Sequence, residues 1–210
     1  MLENKRIIGL FVKSEHEKTL ASVDHIEADR SGILGNVACH VYRQILIVNT
    51  HTLSRFNLAP TDLRENVLVE DDQLYTYPSG TQVRLGGIKV RLTFHCEPCV
   101  KVKALAPPKH LVHNRGYLGS ILEPGVVLVG DSLKVERTKL EAIPYLPIER
   151  VKWYLDSQSD PVSAKQLVQS IALRTTYCPV LPRYLKKLGP RYQRLVVFAN
   201  AAKPTKKQQA

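Results

Sequence analysis

Cys96 and Cys99 are the residues of this chain best placed to do chemistry. They lie in Arg91-Leu-Thr-Phe-His95-Cys96-Glu-Pro98-Cys99, where Leu92 and Phe94 alternate with Arg91, Thr93 and His95. That alternation is the period of a half-buried strand. The strand runs into a turn restricted by Pro98, so the thiols stand at an element boundary with a fixed orientation. A redox pair of thioredoxin type would sit at a helix start in a βαβ context, whereas this one follows a strand in an all-β pattern. A zinc site from Cys39, His40, Cys96 and Cys99 has four ligands but not the usual spacing. An inert buried thiol is the plain alternative, because cysteine is among the most buried residue types. His25, His51, His110 and His113 show no ligand spacing.

The elements that must position this turn are short and rich in β-branched residues. Ile7 to Val12, Gln44 to Val48, Asn66 to Val69, Ile88 to Phe94 and Val126 to Val129 read as strands, separated by Gly and Pro turns. Such spacing predicts a barrel or sandwich. A small helix is expected near Leu53 to Phe56, and a helical or irregular segment near Val100 to Leu105. The pattern places a β-domain at 1–137 and a Pro-containing linker at 138–147, around Pro144 and Pro147. From 148 to 200 the apolar period becomes helical. Ile148, Val151, Tyr154 and Leu155 share one face, and Ser163-Ala-Lys-Gln166 has the form of a capping box before Leu167, Val168, Ile171 and Ala172. Val180, Leu181, Tyr184, Leu185 and Leu188 form the next apolar face, with Gly189-Pro190 as its stop. Arg194 to Phe198 then reads as a strand, the order of a small winged-helix-like module. Residues 201–210 have no apolar anchor and are expected to be disordered. The fold class is thus mainly β, with a barrel or sandwich followed by a small α-helical module.

Composition limits the setting. The chain has 210 residues and a net charge of +11. No run approaches the ~18 apolar residues a membrane span needs, so no membrane partner is expected. The start Met1-Leu-Glu-Asn-Lys-Arg6 lacks the hydrophobic region of a signal peptide. Four cysteines in so long a chain do not resemble a disulfide framework, so a reducing cytoplasm is the expected compartment. The charge is uneven. Residues 1–137 carry 17 Lys and Arg against 15 Asp and Glu, a net +2, and residues 138–210 carry 13 against 4, a net +9. Arg183, Lys186 and Lys187 fall opposite the apolar face of the Val180–Leu188 segment, and Arg191 and Arg194 follow. A helix apolar on one side and basic on the other suits DNA or RNA, although such faces are also found simply solvated.

Five fragments in order resemble the MOSC domain, named after the C-terminal part of molybdenum cofactor sulfurase. Glu97-Pro-Cys99-Val-Lys101 resembles its cysteine motif and Arg43-Gln-Ile-Leu-Ile-Val48 its Arg-Gln-Val strand. Leu63-Arg-Glu-Asn66-Val resembles its Arg-Glu-Asn-Ile segment, Asn114-Arg115-Gly116 its Arg-Gly element, and Gly125-Val-Val-Leu-Val-Gly-Asp131 its closing strand. The resemblance covers about residues 7–136. It departs at Gly35-Asn36-Val37-Ala38-Cys39-His40, where Asn36 replaces an acid.

The resemblance implies a β-barrel with a cleft cysteine, here Cys99, that carries sulfur as a persulfide or ligates the molybdenum of the molybdenum cofactor (molybdopterin). Either role needs a thiolate, favoured by nearby positive charge. His95, Lys101, Arg43 and Arg115 are the candidates to supply it, and Asn66 could donate to an anion. A sulfur donor or acceptor protein is the implied partner. The C-terminal module resembles the DNA-binding domain of O6-alkylguanine DNA alkyltransferases and their non-catalytic relatives. Arg191-Tyr192-Gln193-Arg194-Leu195 replaces Pro-Cys-His-Arg-Val, so both the thiol and its base are missing and alkyl transfer is excluded. Tyr192 would match the aromatic residue of the non-catalytic relatives. The function expected is therefore a MOSC-type sulfur carrier or molybdenum-cofactor-binding protein. The alternative is a non-enzymatic nucleic-acid-binding protein or assembly subunit acting through its basic module.

Overall fold

The structure is a computed structural model that describes residues 5–15, 19–37 and 40–198. The chain divides into two compact units, Met1–Tyr145 and Leu146–Ala210. The first unit opens with β1 (Arg6–Val12), β2 (Ala21–Val23), β3 (His25–Asp29), β4 (Gly32–Ile33), β5 (Ile45–Asn49), α1 (Thr50–Phe56) and β6 (Val67–Glu70). It continues with β7 (Thr81–Leu85), β8 (Ile88–His95), α2 (Pro108–Leu111), β9 (Tyr117–Glu123), β10 (Gly125–Leu128) and β11 (Leu133–Lys139).

Eight strands form one sheet in the order β11-β7-β8-β9-β5-β6-β1-β2, and β10-β3-β4 form a second. Pairing in the large sheet is antiparallel except between β5 and β6, which the α1 crossover makes parallel. β8 alternates over its first half, with Ile88, Val90 and Leu92 buried and Lys89 and Arg91 partly exposed. The alternation expected over 91–95 fails at Thr93, which is fully buried with its hydroxyl against the carbonyls of Tyr42 and Leu118. β5 is buried at all five positions, which is why it reads as a continuous apolar run. Ile7, Leu10, Ile45, Ile47, Val67, Val83, Val90 and Leu92 are fully buried and form the centre of the core.

The expected barrel closes only in part. Leu133 N donates to Lys5 O (2.7 Å) and Ile7 N to Asp131 O (2.8 Å), joining β11, one end of the strand order, to the start of β1, the next-to-last strand. Beyond these bonds β11 runs on as an exposed edge whose charges oppose pairing with another chain.

The stretch 138–147 is not a free linker. Residues 138 and 139 belong to β11, Leu140 N donates to Gly80 O (2.8 Å), and Ile143 is 2% exposed. Its Pro147 opens the next helix instead of stiffening a spacer.

The second unit contains α3 (Pro147–Asp156), β12 (Val162–Ser163), α4 (Ala164–Ser170), a 3-10 segment Thr175–Val180, α5 (Leu181–Leu188), α6 (Pro190–Arg194) and β13 (Val196–Val197). Ser163 caps α4 as its sequence predicts, accepting from Gln166 N at 3.1 Å. Val151, Leu155, Leu167, Val168, Ile171, Leu181 and Leu185 make a separate core. Gly189-Pro190 ends α5 but also starts α6, because Pro is well suited to the first helical position. The expected strand shrinks to β13, which pairs in parallel with β12 rather than in the hairpin of a wing. The expected disordered tail, 201–210, lies outside the described residues. No helix among the described residues is long and apolar enough to cross a membrane.

Candidate functional site

β8 delivers His95 to the end of the large sheet and hands the chain to the cysteine turn. Cys96 N donates to Gly116 O (2.8 Å), which ties the turn to the segment entering β9. Gly116 has φ +118, and a Cβ there would stand 2.8 Å from Leu46 Cδ1 and 2.9 Å from Ile47 O. Only glycine fits this approach to β5. The preceding residue, Arg115, is buried and points its guanidinium into the turn. Its Nη1 donates to Cys96 Sγ (2.9 Å) and to Glu97 O (2.6 Å), while its buried Nε has no hydrogen-bond partner among the described residues. Arg43 pairs with the Glu97 carboxylate at 2.7 Å and lies over the Phe94 ring.

The nominated residues therefore divide. Arg43 and Arg115 converge on the turn, but their bonds go to Glu97 and Cys96. Cys96 is 4% exposed, and burial pushes its thiol pKa up against the opposing pull of Arg115 and Arg43. Cys99 is partly exposed, and its carbonyl accepts from Val102 N (3.1 Å) at the head of the 3-10 turn that carries the exposed Lys101. Asn66 is used structurally. It donates to Phe11 O (3.2 Å) and accepts from Leu46 N (3.1 Å), bridging β1 and β5, so its side chain is turned to the sheet.

His95 stands in an aromatic cluster that its sequence did not announce. Its Nδ1 lies 2.8 Å from His113 Nδ1, so one ring donates and the other accepts. Tyr75, Tyr117 and Tyr145 surround it, with ring centroids 5.9, 4.5 and 6.4 Å away. Burial, reinforced by the neighbouring His113, lowers the His95 pKa to about 4. It is neutral at physiological pH and is not a source of positive charge for a thiolate, contrary to its expected role. His113 adopts φ +60, a left-handed conformation that histidine takes more readily than most residues.

A buried carboxyl is the other unannounced group. Glu65 is fully buried, its Oε1 accepts from Thr61 N (2.7 Å), and its Oε2 has no hydrogen-bond partner among the described residues. Burial raises its pKa. Glu65 and Cys96 both act electrostatically on Tyr75, whose hydroxyl burial pushes up to about 12. The loop holding Glu65 places Thr61 at φ 79 and Arg64 at φ 67, a strain of the kind that gathers around binding sites. A lone Glu between Arg64 and Asn66 gave no periodic signal of burial.

The zinc combination loses its basis for comparison at Cys39, which lies outside the described residues. No group of three His, Cys, Asp or Glu among the described residues is placed to hold a metal. In the second unit Arg183, Lys186 and Lys187 on α5 and Arg191 and Arg194 on α6 are all exposed. Tyr192 is not presented for binding: it is 8% exposed, and its hydroxyl donates to Asp156 Oδ1 at 2.8 Å.

The cysteine turn, the Arg115-Gly116 element and the strands β5 to β10 fall in one continuous stretch of chain. Residues 36–134 match the MOSC domain. The MOSC match takes in Arg43, Asn66, His95, Cys99, Lys101 and Arg115. Among solved structures, the chain resembles the YUAD protein from Bacillus subtilis, at 18% identity and a TM-score of 0.55, over 62% of this chain and 95% of that one. YiiM from Geobacillus stearothermophilus matches at 15% identity and TM-score 0.54, over 86% and 99%. YiiM from Escherichia coli matches at 16% and 0.50, over 91% and 99%. Such identities show a shared fold. The first unit is 145 of the 210 residues, so the two YiiM matches extend into the helical unit, whereas the YUAD match is shorter than the first unit alone. No curated protein sequence matches the chain.

Proposed function

We propose that this MOSC-type protein carries sulfur on Cys99. The carrying observation is a partly exposed thiol beside a turn that two guanidinium groups hold in place. Arg115 binds Cys96 Sγ and Glu97 O, and Arg43 binds the Glu97 carboxylate. The Cys99 thiolate attacks the outer sulfur of a donor persulfide, R–S–SH. The donor's S–S bond breaks, and the donor leaves as a thiol bearing the proton that Cys99 gave up. Cys99 then holds –S–SH for an acceptor, and no external oxidant or reductant is consumed. Arg43 and Arg115, which hold the turn, and Lys101, two residues on from Cys99, are the cations available to the anionic persulfide.

A second reading is favoured by the orphaned Nε of Arg115. A buried donor without a partner fits an anionic group placed against the turn. In this reading Cys99 is the protein's thiolate to the molybdenum cofactor, and Arg115 and Lys101 balance its negative charge. The cofactor would supply oxygen-atom or two-electron transfer. The chain's own contribution is to bind it, orient it and keep a neutral His95 nearby.

One preparation distinguishes the readings. Intact mass of freshly purified protein should show a +32 Da adduct (one sulfur), lost on reduction and absent from Cys99→Ser. Molybdenum in stoichiometric amount by elemental analysis, with no such adduct, would select the cofactor reading. Protein with neither feature, made in cells that synthesise the cofactor, would reject both.

A further inference from the structure

We infer that the helical unit binds single-stranded nucleic acid and takes an unpaired base into the cavity between α5, α6 and Phe198. Residues 161–198 contain seven Lys and Arg and no Asp or Glu. Five of those cations, Arg183, Lys186, Lys187, Arg191 and Arg194, are exposed on α5 and α6. Asp156 of α3, which accepts from Tyr192, is the acid beside α6, and a face this basic suits a polyanion as its partner.

The cavity says which polyanion. It is an open cleft of about 410 Å³ lined by Pro182, Leu185, Lys186, Gln193 and Phe198, wide enough to receive one face of a base. Pro182 and Leu185 supply apolar contact, and Phe198 leaves 40% of its surface exposed. An aromatic side chain beside a cation is the arrangement on which bases stack without sequence preference. Gln193 can both donate to and accept from a base edge, and Lys186 at the rim can meet the adjoining phosphate. In a duplex the base faces are already covered, so only the phosphate contacts would remain. α5 also presents Lys186 and Lys187 at its last turn, whereas helices that read the major groove lead with their N-terminal residues. The proposal does not depend on the thiol chemistry of the first unit.

Fluorescence anisotropy of the full chain with labelled dT15, U15 and a mixed 15-base-pair duplex provides the test. Both single strands, or one of them, should bind more tightly than the duplex, with affinity falling steeply as salt rises. Preference for dT15 or U15 assigns DNA or RNA, and either supports the inference. Phe198→Ala should weaken single-strand binding about tenfold, within the usual cost of losing a base–aromatic stack, and leave duplex binding unchanged. The double variant Lys186→Glu/Lys187→Glu should weaken both. Gln193→Ala, at an exposed position, repeats the test should Phe198→Ala lose its helical circular dichroism. Duplex binding as tight as single-strand binding, single-strand binding untouched by Phe198→Ala and Gln193→Ala, or no salt-sensitive binding of any oligonucleotide would each overturn it. The last result would leave the basic face to solvent or to a protein partner.

Discussion

Arg115 is a buried cation whose hydrogen bonds go to a thiol and a carbonyl rather than to a carboxylate. A charge removed from water this way is sustained by its hydrogen bonds, so deleting it is costly in both directions. Arg115→Met should lower the unfolding free energy by about 2 kcal/mol, the usual worth of charge-assisted bonds, as urea denaturation would measure. It should also change thiol reactivity. In the parent, limiting iodoacetamide at neutral pH should label Cys99 well before Cys96, which is buried and has a raised pKa. In Arg115→Met the turn loosens, and peptide mapping should find Cys96 labelled faster. Equal labelling of the two in the parent would contradict the arrangement. His95 gives a pH signature. Its pKa in the fold is about 4 against 6.5 when unperturbed, so the unfolded chain binds the extra proton between those values. Stability should therefore decline as pH falls from 6.5 towards 4 and be unaffected by His95 above 6.5. His95→Phe keeps a ring in the cluster and should flatten that slope in denaturation midpoints measured across the range.

At the scale of elements, the site depends on where β8 and β9 end. β8 carries the chain to the thiols, and the left-handed Gly116 lets β9 begin hard against β5 while Arg115 turns inward. Gly116→Ala combines left-handed strain with overpacking against Leu46, Val48 and Ile47. It should cost about 2–4 kcal/mol, far more than an Ala substitution at the uncrowded Gly35 with φ +72, when the two are compared by chemical denaturation. Several of these elements were legible beforehand. β1, β5, β6, β8 and β10 were expected from their β-branched runs, and α1 and a helical or irregular segment near 100 were foreseen, the latter being a 3-10 turn. β7 and β11 were not, because Gln82, Arg84, Lys134, Glu136 and Arg137 dilute their apolar pattern. β9 was hidden by Gly119 and Ser120, small buried residues that look like turn material. Their burial reflects close strand approach: a Cβ on Gly119 would stand 2.4 Å from Val90 Cγ1.

For the whole molecule, the division falls after Tyr145 rather than near 137. Ile143 is buried and its N–H donates to Ser79 Oγ (2.8 Å), and Tyr145 packs on His113 at 4.3 Å between centroids. A fragment ending at 145 should fold cooperatively. One ending at 137 should lose at least the burial of Ile143, about 2 kcal/mol, together with the last pairs of β11. Thermal melts of the two fragments would show the difference, and equal midpoints would mean that 138–145 contributes nothing to the first unit.

The sequence by itself determined the broad organisation: a β-rich unit, a basic helical unit, and a cysteine turn following a strand. Those features rest on local periodicity, capping and proline geometry, which act over a few residues and are readable one segment at a time. It also carried the motifs that led to the MOSC match. Only the tertiary structure decided which charges meet which sulfur. Arg43 and Arg115 are 72 residues apart, and the sheet brings both to the cysteine turn, where they meet Glu97 and Cys96. It likewise withdrew Asn66 into a bridge between β1 and β5 and made His95 neutral through burial and His113. Burial and charge pairing depend on contacts between distant segments, and no local pattern of residues encodes the direction in which a buried side chain will turn.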